Sequence, residues 1–176
     1  MTDGALDLDR ITDDLERFSD ALRALTAGLD ERTARAAPPG VGWSILDVAG
    51  HLLDEEVLDF RPRLQSLLRD ASATWPPIDP EGRAEEVRPS LGTLDETVER
   101  FAEERRASVA WLRALEEPDW DATYEHPELG PLRAGDLLLS WASHDLLHAR
   151  QLVRLRHVAL LADAAAFDSR YAGPPL

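Results

Sequence analysis

Residues 137–158 read LLLSWASHDLLHARQLVRLRHV, and steps of four and three from Leu137 select Trp141, His144, His148, Gln151, Leu155 and Val158. A stripe at this spacing predicts a long amphipathic helix with those positions on its inward face. Two histidines and a glutamine therefore sit on a seam where apolar side chains are expected. An unpaired polar group in an apolar core costs about 1–3 kcal/mol, so these side chains require partners. Histidines at i and i+4 stand one above the other on a helix face, close enough to share one ion.

Outward from this segment, three more stretches carry helical period. Leu8, Ile11, Leu15, Phe18, Leu22, Leu25 and Leu29 predict a first helix over about 5–28. A linker ending in PPG at 38–40 follows, and GWSILD then offers Ser44 as N-cap with Asp47 three residues on, a capping-box variant. A second helix is expected from there to about Asp70, with Pro62 removing one backbone hydrogen bond and kinking it. TLDE at 93–96 is another capping box, and Leu94, Val98, Phe101, Ser108, Leu112 and Leu115 mark a third helix. Arg105 lies on that stripe and is expected to snorkel to the bundle edge, the alternative being a cation offered to an anionic ligand inside. The last long helix starts near Ala134.

Residues 71–92 contain four prolines and two glycines without apolar period and are read as one long connection. A crossover along a bundle would explain its length, letting helices 2 and 3 point the same way. Residues 117–133 are turn-rich and predict an irregular lid or a short hairpin, and the tail from about 162 is expected to pack loosely. The fold class is all-α: a four-helix bundle with a long crossover between helices 2 and 3, in one domain spanning 1–176.

Composition narrows the function. With no cysteine, disulfides and thiol nucleophiles are excluded, and a metal must be held by histidine, carboxylate or water. A net charge of −15 argues against nucleic acid, whose binding draws on cations neutralising phosphates. No stretch of 18 apolar residues is present, and MTDGALDLDR lacks a basic segment followed by an apolar run. Neither membrane insertion nor export is expected, so the location is read as cytoplasmic.

A third metal ligand comes from helix 2, where Ser44, Val48, His51, Glu55 and Leu58 share a face. Glu55, four residues after His51, and Asp54 are candidates to orient imidazoles or complete the shell, as is Gln151 beside His148; Asp145 and Asp47 are weaker ones. Taken alone, the acidic run 54–56 reads as a wet helix face, His126 and His157 as solvated, and Trp43, Trp111 and Trp141 as core. HDLLH has the spacing of the zincin motif with Asp in place of Glu, but no suitable downstream ligand follows. A di-iron carboxylate bundle needs two Glu-x-x-His motifs, and only Asp145-x-x-His148 approaches one.

GWSILDVAGHLLDEE at 42–56 and HDLLHARQL at 144–152 resemble the helix-2 and helix-4 motifs of the DinB-like (DNA-damage-inducible protein B) metal-binding proteins. Those motifs are Trp-Ser, then a histidine with Asp three and Glu five positions later, and H-x-x-x-H-x-x-Q. The resemblance implies a four-helix bundle, commonly dimeric, with one divalent ion, nickel or zinc, on His51, His144 and His148. It further implies a metal-dependent transferase that joins a low-molecular-weight thiol to an electrophilic small molecule. The alternatives are a non-catalytic metal-binding or structural bundle in stress response, and a metal-dependent hydrolase. No arginine cluster is assignable to a thiol cofactor's carboxylates, and the chain has no room for the extra C-terminal domain of some mycothiol-dependent isomerases.

Overall fold

The computed structural model describes residues 6–38, 42–77, 79–164 and 166–173, so the predicted PPG turn beyond Pro38 and the end of the tail lie outside it. Helix α1 (Leu8–Thr26) is capped by Asp7, whose carboxylate accepts from the Arg10 N–H at 3.0 Å. The expected linker holds a short helix, α2 (Glu31–Arg35), started by Asp30 accepting from the Thr33 N–H. Five residues are too few to show a period, which is why the pattern missed it.

Helix α3 (Ile45–Asp54) begins at the predicted capping box: the Ser44 N–H donates to Asp47 Oδ2 at 2.8 Å, and the Asp47 N–H to Ser44 Oγ at 3.1 Å. It runs into a π-helical segment, Glu55–Phe60, and then α4 (Arg61–Arg69). Pro62 follows directly. Proline lacks the N–H for an i−4 bond and its ring crowds that carbonyl, and a widened turn just ahead relieves both. The π turn inserts residues into the helical phase, so the inward face moves to Glu56, Asp59, Phe60, Arg63, Leu64 and Leu67, all buried. Leu58, expected inside, is 52 % exposed for this reason.

The connection at 71–92 is also more structured than expected, with α5 (Pro80–Val87) and a 3-10 turn at Arg88–Ser90. Helix α6 (Leu94–Arg113) starts at the Thr93/Glu96 capping box. A hairpin follows, β1 (Thr123–His126) against β2 (Gly130–Arg133), with Thr123 opposite Arg133 and Gly130 at φ +73° closing the turn. The final helix, α7 (Ala134–Asp163), is 30 residues long. Val158, predicted inside, is 36 % exposed near its end, and residues 166–173 are exposed throughout.

Side-chain pairings give the helix directions. Ile45 and Leu53 share one core cluster with Leu94, Val98 and Phe101, while Phe60, Leu64 and Leu67 share the other with Val109 and Leu112, so the second long helix and α6 run parallel, as a crossover requires. Arg23 meets Glu99 while Arg113 meets Asp13, so α1 and α6 are antiparallel. Arg156 donates to the Leu25 carbonyl and Gly135 packs near Leu6, so α1 and α7 are parallel. The core has two parts: one around Phe18, Leu52, Phe101 and Leu152, the other around Leu15, Phe60, Leu112 and Trp141.

Arg105 lies between them, 2 % exposed. It neither snorkels outward nor waits for a ligand. Its guanidinium donates to Glu56 Oε2 at 2.9 Å, to Asp145 Oδ1 at 3.0 Å and to the Leu15 carbonyl at 3.0 Å, tying α6 to the other three long helices. No helix among the described residues is long and apolar enough to cross a membrane.

Candidate metal centre

Every residue from Ile45 to Leu53 of α3 is buried, and this fixes His51 against α7. His144 and His148 stand half-buried on successive turns of α7 facing it. The Nε2 atoms of His51 and His144 are 3.3 Å apart, and those of His144 and His148 are 3.1 Å apart. One ring nitrogen from each of the three lies within 4.8 Å of the others. Imidazole nitrogens holding one ion tetrahedrally at about 2.0–2.1 Å stand roughly 3.3 Å from one another. The donor spacing fits a divalent ion, and among the described residues no other group of three His or carboxylate side chains converges in this way.

The tautomer of one ring follows from its neighbour. His148 Nδ1 is 2.8 Å from Gln151 Oε1, which only accepts, so Nδ1 carries the proton and Nε2 presents its lone pair to the centre. Glu55 Oε1 lies 3.7 Å from His51 Nδ1, the outer face of that ring. Asp54 instead pairs with Arg83 of α5 at 3.1 Å. Asp47 is engaged by Ser44 and by Arg88 Nε at 2.8 Å, and Asp145 by Arg105, so neither is free to orient an imidazole. His126 turns its Nδ1 onto the Glu128 and Leu129 N–H groups in the hairpin.

Two aromatic walls were not read from the sequence. Trp43, expected in the core, is only part-buried; its ring meets His51 edge-on at 4.8 Å and lies parallel to His148 at 6.4 Å. Phe60, brought inward by the π turn, packs on His144 at 5.2 Å. Trp43 precedes α3, where no helical period reaches, although the Trp-Ser pair belongs to the resembling motif.

Burial holds the rings neutral. Desolvation, reinforced by the neighbouring rings, lowers His51 to about 4 and His144 to about 3, and burial lowers His148 as well. Glu55 is pushed the other way, to about 8, by burial and by Asp59. In metal-free protein, the His51 and His144 rings are expected to remain unprotonated at pH 5.5 in a histidine NMR titration; a transition near 6.5 in either would show that the cluster is not desolvated. Because the unfolded chain takes up these protons first, the three rings make stability fall as pH drops from about 6.5. Glu55 acts with the opposite sign, gaining stability as pH drops from about 8 toward its ordinary 4.5.

Comparison with known families places the geometry. The family model of the DinB superfamily matches residues 14–152, a span that contains all three histidines and Gln151. The chain belongs to the DinB superfamily. A search of curated proteins finds no match to it. Among solved structures, this DinB-superfamily chain is similar to YfiT from Bacillus subtilis, described as a probable metal-dependent hydrolase with an unusual four-helix bundle topology. The two share 17 % sequence identity at a TM-score of 0.75, over 84 % of this chain and 85 % of YfiT. At that identity the likeness speaks for the bundle, and the expected four-helix architecture is borne out by it.

Proposed function

We propose that this DinB-superfamily protein is a metal-dependent enzyme that transfers a low-molecular-weight thiol to an electrophilic small molecule, with His51, His144 and His148 holding one divalent ion. The observation that carries the reading is the convergence of three neutral imidazole nitrogens between α3 and α7, with one ring fixed in its tautomer by Gln151. Nickel and zinc both suit an all-imidazole donor set. An ion bound there would supply a Lewis acid that lowers the pKa of a thiol. The chain's own residues do the rest: Gln151 orients His148, Glu55 stands behind His51 at its outer nitrogen, and Trp43 and Phe60 limit water at the rings. In the transfer, the thiol gives up its proton to solvent water, a sulfur–carbon bond forms, and the bond from that carbon to the leaving group breaks, the group departing with the bonding pair. Such chemistry would serve the detoxification of electrophiles under stress.

A second reading, hydrolysis, is favoured by the likeness to YfiT and puts water in the place of the thiol. Protein purified without an affinity metal should contain about one equivalent of divalent ion by elemental analysis. It should then turn over a chromogenic aryl halide only when a small thiol is present. Thiol-free cleavage of esters or amides would select the hydrolytic reading, and silence on both panels with metal bound would reduce the protein to a non-catalytic metal-binding bundle.

A further inference from the structure

The His144/His148 pair divides α7 into two flanks. Ala142 and Ala149 line the groove toward α1. At about 100° per residue, Leu147, Gln151 and Arg154 fall on the opposite flank, beside the opening between α7 and α3. Leu147 and Arg154 are exposed there and Gln151 is half-buried. Gln151 commits its Oε1 to His148 Nδ1, and its amide NH2 makes no hydrogen bond among the described residues. Three residues on, the Arg154 guanidinium has neither an ion pair nor a hydrogen bond among those residues.

Charge sets this flank apart. The chain has 34 acidic and 19 basic residues, yet no acidic residue falls within 146–162. Arg150 and Arg154 stand one helical turn apart, a spacing at which like charges repel, and neither has an ion pair among the described residues. The carboxylates bordering the centre are engaged elsewhere: Asp47 by Arg88, Asp54 by Arg83, Asp59 by Arg63 and Asp145 by Arg105, while Glu55 stands behind His51. Three uncharged imidazoles cancel none of a divalent ion's charge, so with metal bound this flank adjoins a positive centre.

We propose that Gln151 and Arg154 form a carboxylate-binding subsite, and that the small molecule bound at the centre is a carboxylic acid whose acid group reaches this flank; the inference rests on the metal-centre reading. Helical side chains lean back over the preceding turn, which lays the Arg154 guanidinium over Gln151. From the level midway between His144 and His148 to that of Gln151 is five residues, about 7–8 Å at 1.5 Å per residue. There the amide N–H and the guanidinium offer two donors to the two oxygens of one carboxylate. An extended chain advances roughly 1.2 Å per bond, so the fitting acid has its metal-seeking atom about six bonds from the carboxyl carbon.

Isothermal titration calorimetry of the metal-loaded chain with ω-mercaptohexanoate and its uncharged amide tests this, since a thiol ligates such a metal whether or not it is a substrate. The acid should bind about tenfold more tightly than the amide, the low end for hydrogen bonds to a charged group. Arg154→Gln should erase that advantage while leaving metal content, helical circular dichroism and the amide's affinity as in the parent, and Arg154→Lys should restore part of it. The affinity of mercaptoacetate, too short for the span, should not change in Arg154→Gln. Arg69→Gln removes the same charge from an exposed position on α4 and should leave the preference intact. Equal affinities for acid and amide, a preference that survives Arg154→Gln, or an equal loss in Arg69→Gln would overturn the subsite. Absence of thiol transfer with the preference retained would overturn the transferase reading alone, and a chain that takes up no metal would overturn both.

Discussion

Replacing Arg105 with methionine is expected to destabilise the bundle by about 3–5 kcal/mol, the cost of removing one partner from a buried ionic group. Glu56 is fully buried and Asp145 is 2 % exposed, so neither carboxylate can turn to water when the guanidinium goes. Trp141 Nε1 donates to Glu56 Oε2 at 3.1 Å and can satisfy only that one oxygen. Against a typical stability of about 5–15 kcal/mol, the loss is large, and at roughly 2–4 °C per kcal/mol for a chain of this size the melting temperature should fall by about 10 °C. The pH dependence separates charge from packing. Burial already pushes Asp145 up to about 6 against the lowering pull of Arg105. Without that pull, Asp145 binds its proton still more tightly folded than unfolded, and stability then rises as pH falls. The variant's deficit should therefore narrow between pH 7 and pH 5 in urea melts. A deficit equal at both pH values would mean that shape, not charge, is what Arg105 contributes. Adding Glu56→Gln and Asp145→Asn to the variant should recover part of the loss by the same reasoning.

This layer marks where sequence reading stops. Periodicity located the four long helical stretches because each repeats its apolar spacing for several turns, and the boxes at Ser44/Asp47 and Thr93/Glu96 fixed two helix starts to the residue. The inward placement of His144, His148 and Gln151 came from the same stripe. Arg105 was on its stripe too, but a cation's partners come from other helices, and no local pattern announces Glu56 or Asp145 as theirs. Glu56 was hidden further by the π turn, which shifts the phase inside one helix and exchanges it for Leu58 on the inner face. Helices α2 and α5 are short and owe their starts to Asp30 and Asp79 caps instead of an apolar face, so period finds neither. Trp43 joins the site only because the chain entering α3 folds over α7.

His148→Ala is expected to abolish stoichiometric metal binding while leaving the bundle folded. Its Nε2 is one of three donors, and two imidazoles from different helices hold a divalent ion weakly. Loss of an outer partner of a ligand typically costs about 10–100-fold in metal affinity; Gln151→Leu should fall in that range, and loss of the ligand itself beyond it. Stability supplies an independent readout. A ligand at about 100 times its dissociation constant stabilises the fold by about 2.7 kcal/mol, so added metal should raise the parent's melting temperature by about 5–10 °C. His148→Ala should show no such rise. Without metal, the variant should melt close to the parent, because the ring it loses is a half-buried polar group held in an environment that disfavours its charge. Unchanged metal content together with an unchanged thermal response in His148→Ala would remove His148 from the centre. If the parent itself bound no divalent ion, the three rings would be a desolvated cluster and nothing more.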